Sequence, residues 1–283
     1  MYRLPAAALI AVVVAGLIAC TPGANPTRLG PSGAVSAAPS DAFSPGAPSV
    51  LTVYAAASLK GVLDKAKIAF EAANRRTTLT IATDSAVALE TPIEQGAPAD
   101  VFLSADTANP KKLVDKGLAA GAEVNFAGNK LIVIVPSANP AGIRSPADLA
   151  KPGVKVIAAG DAVPITKYAT QLVANLAGET GYPADFAAAY AANVASREDN
   201  VKAIVAKIEL GEGDAGIVYV TDAKASTKLL TVDVPIAANV PATYAGVVVK
   251  ASSNVVAAQA FLDWLAGSDG QAILGESGFL PPP

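Results

Sequence analysis

From residue 50 onward the chain alternates short runs of apolar and β-branched residues with longer stretches of helical periodicity, and this alternation restricts its possible folds more than any other feature. Strands are expected at LTVYA (51–55), LTIA (79–82), DVFLSA (100–105), LIVIV (131–135), VKVIAA (154–159), AGIVYV (215–220) and YAGVVV (244–249). Helices are expected over 59–73, 86–95, 110–118, 145–150, 166–178, 184–192, 200–210 and 254–266. Strands separated by helices of this length predict an α/β fold with parallel sheets. The 283 residues could form one large or two modest domains, with ample apolar content for their cores.

The junctions between strands and helices carry the functional signal. In 55-AAASLKG-61 a strand ends in small residues and a serine before a helix begins. Such turns place helix N-termini on the carboxyl edge of a sheet, where ligands of open α/β sheets bind, and the free N–H groups there favour anions. The alanines keep that edge open, and Ser58 is expected at the N-cap with a hydroxyl to donate. Any one such turn taken alone is better explained by a plain cap. Comparable helix starts recur at 82-ATDSAVALE-90, 161-DAVPITKYA-169 and 196-SREDNVKAI-204, and four together can build an anion site from dipoles and hydroxyls.

Composition excludes several other functions. With 21 basic against 24 acidic residues the chain has no basic face for a phosphate backbone, so nucleic acid is not an expected partner. It has no histidine, one cysteine, and neither a GxSxG nor a phosphate-loop pattern, so it does not read as an enzyme. The acidic pair Glu198 and Asp199 opens a helix, where adjacent side chains point apart. Carboxylates without His or Cys make a poor transition-metal site, and no cofactor or coordinated metal is expected.

The first residues, MYRLPAAALIAVVVAGLIAC, combine Arg3, an apolar stretch and small residues before Cys20, as a signal peptide over 1–19 does. The end of this segment, 17-LIAC-20, resembles a bacterial lipobox, which makes Cys20 the lipidation site and anchors the protein on the extracytoplasmic face of the cell membrane. Residues 20–49, rich in Pro, Gly, Ser and Ala, read as the anchor cysteine followed by a disordered tether.

The motifs AAASLKGVLDKAKIAFEAAN, IEQGAPADVFLSAD, FAGNKLIVIVP, AAGDAVPITKYA and GDAGIVYVTDA, followed by a closing SGFLPP, occur in the order in which they resemble the molybdate-binding component of bacterial ABC importers, over about residues 50–280. The resemblance implies a two-lobed type II periplasmic-binding-protein fold with a ligand cleft between the lobes. It implies a first lobe of 50–129 plus 245–283 and a second of 130–244, crossed by LIVIVP after Asn129 and by YAGVVV from Tyr244, with helix 254–266 and its Trp264 covering the first lobe. Carried over residue by residue, the oxyanion contacts are Ser58, the 84–86 turn, the N–H of Ile165, the N–H of Val201 and the hydroxyl of Tyr219. All are donors, which suits a proton-free dianion and leaves protonated phosphate without an acceptor.

The expected partners are molybdate or tungstate and an ABC permease, with the protein a monomer. Two positions depart from the family pattern. Ala86 stands where a contacting serine is expected, so that either Ser85 donates from a shifted turn or the Ala86 N–H acts alone. Lys167 is read as a solvated side chain, and Asp84 as the helix cap. Sulfate or another oxyanion is the alternative ligand. A surface lipoprotein that has lost its site is the alternative of another class.

Overall fold

A computed structural model of the chain describes residues 48–283; the expected signal peptide, Cys20 and nearly all of the expected tether lie outside the described residues. The chain runs β1 (Ser49–Ala56), α1 (Lys60–Ala73), β2 (Thr77–Asp84), α2 (Ala86–Glu94), β3 (Val101–Ser104), α3 (Ala108–Asp115), β4 (Val124–Asn129) and β5 (Leu131–Pro136). It continues with β6 (Val156–Ala159), α4 (Pro164–Ala177), α5 (Phe186–Ala192), β7 (Val194–Glu198), α6 (Val201–Glu209), β8 (Ala215–Tyr219) and α7 (Val220–Lys224). It closes with β9 (Leu229–Val232), β10 (Ala242–Val248), α8 (Val255–Ala266) and α9 (Ser268–Glu276). The expected helix over 145–150 is a 3₁₀ helix, Pro146–Ala150, opened by a capping box between Ser145 and Asp148.

These elements form two lobes, each built on a five-stranded sheet, ordered β2-β1-β3-β10-β4 and β7-β6-β8-β5-β9. The sheets are mixed and not purely parallel as expected. In the first, β10 runs antiparallel to β3 and β4, and in the second β5 runs antiparallel to β8 and β9. The reason is geometric. Strands of the β–α units carry their C-terminal ends to the cleft, whereas β5 and β10 are the strands by which the chain arrives from the other lobe. Each therefore starts at the cleft and runs away from it.

The chain leaves the first sheet at Asn129 and joins the second at Leu131, so the outward crossing is a single residue, Lys130. The return crossing is residues 233–241. Ala242–Tyr244 already pair with Ala127–Asn129 of β4, so the first sheet resumes three residues before the expected boundary at 245.

Strands β4, β7 and β9 and helices α7 and α9 were not expected from the sequence. Strand β4, VNFAGN, lacks an apolar run and is held by its neighbours: it pairs with β10, and Gly128 exchanges two backbone hydrogen bonds with Leu280 at 2.7 and 2.9 Å. A side chain at Gly128 would lie 2.9 Å from the Pro281 carbonyl, so the close approach of SGFLPP requires glycine there. The amphipathic helix α1 buries Val62, Leu63, Ala66 and Phe70 against the first sheet. Phe70 meets Phe261 and Trp264 of α8 edge-on at 5.0 and 5.3 Å, contacts worth roughly 0.5–1.5 kcal/mol each beyond area burial. Helix α8 thus packs on the first lobe, with the half-buried Trp264 lying against its core.

Candidate functional site

Four helix starts converge where the two sheets face each other. One is the 3₁₀ turn Ala57–Leu59 that leads into α1; the others open α2, α4 and α6. Together they line a single cavity, with Ala56, Ala57, Ser58, Ser85, Ala86 and Ala105 from the first lobe and Val163, Pro164, Ile165, Asn200, Val201 and Tyr219 from the second. All six ligand residues expected from the sequence, Ser58, Ser85, Ala86, Ile165, Val201 and Tyr219, are in this lining. The centre of a water molecule can range over about 20 Å³ of the cavity. Adding a water radius of about 1.4 Å gives a void roughly 3 Å in radius, room for one small ion.

Each helix start supplies donors for a local reason. Pro164 occupies the first position of α4, where its fixed φ suits the helix and its missing N–H costs nothing, so the first free amide is that of Ile165. Thr166 Oγ1 ties this turn to the end of β6 by donating to the carbonyls of Ala159 and Gly160 at 3.1 and 2.8 Å. Asn200, extended at φ −157° and ψ 169°, caps α6 by accepting from the Ala203 N–H at 3.1 Å, and leaves the Val201 amide without an intrahelical partner. Ser85 caps α2 by accepting from the Ala88 N–H at 3.3 Å. Its own hydroxyl hydrogen stays free, and Ala86, fully buried, presents the first amide of α2.

Two expectations are corrected here. Ser58 is not an N-cap: it lies inside the 3₁₀ turn, whose cap is Ala56, and α1 itself is preceded by Leu59. Its hydroxyl oxygen accepts instead from the Tyr244 hydroxyl at 3.1 Å, which directs the Ser58 hydrogen away from Tyr244. Asp84 does not cap α2, because Ser85 does. The Asp84 carboxylate accepts from the Ser85 N–H at 2.7 Å and from Asn200 Nδ2 at 3.0 Å, and Asp84 is not part of the cavity lining. Lys167 is exposed and also absent from the lining.

Tyr219 ends β8 with 1% of its surface exposed and a buried hydroxyl that has no hydrogen-bond partner among the described residues. Its ring lies edge-on to Tyr244 at 5.5 Å and to Tyr168 at 6.3 Å. Burial above all, then the neighbouring Tyr244, Tyr168, Asp222 and Asp106, holds its ionisation well above the ordinary tyrosine range, so Tyr219 remains a proton donor. Tyr244 is raised in the same way, chiefly by burial. Behind it, Asn129 Nδ2 donates to Thr221 Oγ1 at 2.9 Å and reaches the Tyr244 oxygen at 3.5 Å.

This supporting chain of Asn129, Thr221 and Tyr244 is not readable in the sequence, since its members are up to 115 residues apart. Asn200 was readable, as an Asn immediately before an apolar helical run is an N-cap signature. A larger cavity of about 250 Å³ lies behind α4, lined by Ala158, Ala169, Val173, Ala187, Tyr190 and Arg197 among others. Its lining is mostly alanine and other apolar side chains, and Arg197 is engaged with Asp161 at 3.1 Å.

The interlobe cavity is therefore a closed set of neutral donors with no cation in its lining, suited to an anion that only accepts hydrogen bonds. The bacterial extracellular solute-binding protein profile matches residues 51–280. The molybdate-binding protein ModA of Mycobacterium tuberculosis is 35% identical over 273 residues, 96% of this chain and 95% of that protein. The molybdate-binding protein ModA of Escherichia coli is 30% identical over 238 residues, 81% of this chain and 88% of that one. In fold, the periplasmic molybdate-binding protein of Azotobacter vinelandii matches with a TM-score of 0.70 at 23% identity, over 82% of this chain and all of the other. The sulfate-binding protein SubI of M. tuberculosis matches with a TM-score of 0.72 at 21% identity, over 82% and 87%. The chain belongs to the bacterial extracellular solute-binding proteins.

Proposed function

We propose that the protein captures molybdate or tungstate outside the membrane, held there by a lipid on Cys20, and hands the ion to an ABC importer. The observation that carries this reading is the convergence of four helix starts and the unpartnered Tyr219 hydroxyl on a cation-free cavity of single-ion size. The hydroxyls of Ser58, Ser85 and Tyr219 and the amides of Ala86, Ile165 and Val201 donate to the four oxygens, while the helix dipoles balance the charge. The names of the relatives that cover nearly the whole chain support molybdate as the ligand. The lipobox-like LIAC supports the anchor, and the family supports delivery to an importer.

Sulfate satisfies the same donor set and differs in size, so titration separates the two. Calorimetry of the purified protein with molybdate, tungstate, sulfate and phosphate is expected to give tight binding of the first two, weak binding of sulfate and none of phosphate. Binding of sulfate in preference to molybdate would replace the ligand, and binding of none would leave a surface lipoprotein without a site.

A further inference from the structure

Ser58 lines a second cavity as well. On the other side of its turn, Gly61, Val62 and Lys65 of α1, Lys202 of α6, Thr221, Lys224 and Ala225 around α7, and Glu276, Ser277 and Phe279 at the chain end enclose about 300 Å³ along the seam between the lobes. Three lysines, one from the first lobe and two from the second, face this space, whereas the inner cavity has none. Lys202 Nζ stands 2.8 Å from the buried Asp222 carboxylate, and Lys224 Nζ donates to the Glu276 carbonyl across the seam at 3.1 Å. Lys65 is exposed.

We infer that this cavity is an outer anion station, where Lys65, Lys202 and Lys224 gather the dianion before it passes Ser58 into the inner cavity; the inference rests on the binding function proposed above. A site made of neutral donors holds its ion by short-range contacts and exerts little pull at a distance. The chain as a whole repels a dianion, with a formal charge of −3. With Asp222 paired to Lys202 and Glu276 in the lining, the three lysines leave one net positive charge in this cleft, which locally opposes that field and raises the encounter rate. Ammonium groups are strongly hydrated point charges, so they attract dianions without selecting among them and leave selection to the inner donors. The expected signature is therefore kinetic: the lysines set the association rate and leave the dissociation rate unchanged.

The test is stopped-flow tyrosine fluorescence of the full-length protein with molybdate, comparing wild type, Lys65→Gln, Lys224→Gln and the double variant at low and high salt. Lys202 is left intact because its loss would strand the buried Asp222 carboxylate. Lys250→Gln, beyond the far end of β10, is the control for lost net charge. The double variant is expected to associate roughly tenfold more slowly at low salt. The difference should vanish near 1 M salt, where the screening length is about 3 Å, and dissociation and the Lys250→Gln rates should match wild type. An unchanged association rate in the double variant, or a loss that appears in dissociation instead, would overturn the inference. If calorimetry shows sulfate to be the ligand, the same rates are measured with sulfate. If no oxyanion binds, the outer station falls together with the function it serves.

Discussion

The Asn200 amide donates to the Asp84 carboxylate at 3.0 Å across the cleft, joining residues 116 apart that belong to opposite lobes. With its other end the same side chain caps α6. One asparagine thus fixes a helix start that lines the inner cavity and fastens the two lobes beside it. Asn200→Ser keeps a capping oxygen and removes the clasp, so it is expected to weaken molybdate binding about tenfold, through faster release, with little change in melting temperature. Asn200→Ala is expected to lose about 1 kcal/mol of stability as well. Titration and thermal melts of the two variants separate the roles, and equal affinity of Asn200→Ser and wild type would show that the clasp does not hold the closed form.

Ser58→Ala removes one donor to a dianion and is expected to cost about 1.5–3 kcal/mol of binding. Tyr244→Phe leaves the Ser58 hydroxyl in place but takes away the partner that orients it, for a smaller loss of about 1 kcal/mol. The order of the two losses, measured by calorimetry, tests whether Tyr244 acts through Ser58.

Ala57→Leu is expected to fill the inner cavity and abolish binding in a protein that still folds. At the neighbouring turn, Ser85→Ala should cost as much as Ser58→Ala if the Ser85 hydroxyl is a donor. Ala86→Ser should tighten binding only if a hydroxyl is missing there. Circular dichroism beside each titration distinguishes a filled site from an unfolded chain.

Burial raises the ionisation of five tyrosines: Tyr168 and Tyr190 to about 12, Tyr219 and Tyr244 well above the ordinary value, and Tyr182 above it. In the unfolded chain they titrate near about 10. Above that pH the unfolded state binds fewer protons than the folded one, so stability present below pH 10 is lost as pH rises through the folded values. Melts between pH 8 and 11.5 are expected to show this decline, with Tyr190→Phe reducing its slope. Affinity for molybdate should stay flat from about pH 6 to 9, because the hydroxyl donors keep their protons throughout.

Cys20→Ala is expected to move the protein from the membrane fraction to the soluble one with ligand affinity unchanged. Lys167→Ala should cost less than about 1.4 kcal/mol, tenfold in affinity, since Lys167 lies outside the site.

What the sequence made readable were features a single segment can specify. The four junctions show themselves as small and polar residues between an apolar run and a helical one, but Ser58, Ser85, Ala86, Ile165, Val201 and Tyr219 were named because the family resemblance carries the oxyanion contacts onto those positions. Strand β4 escaped because its pairing with β10 and Leu280, and not its own composition, makes it a strand. Strand β7 escaped because it is an edge strand with no fully buried residue. Ser58 was misassigned as a cap because a 3₁₀ turn intervenes before α1. Its true partner, Tyr244, arrives 186 residues later.

The placement of β10 between β3 and β4 also sets an order in time. A chain made from its N-terminus completes every strand of the second sheet by Val232, while β4 still waits for the neighbour that joins it to β3. Pairings so distant along the chain form late and slowly. The inner cavity draws its lining from both lobes, so it depends on a first sheet that residues 242–248 complete. A nascent chain halted before Ala242 holds every strand of the second sheet but lacks the one that joins β4 to β3.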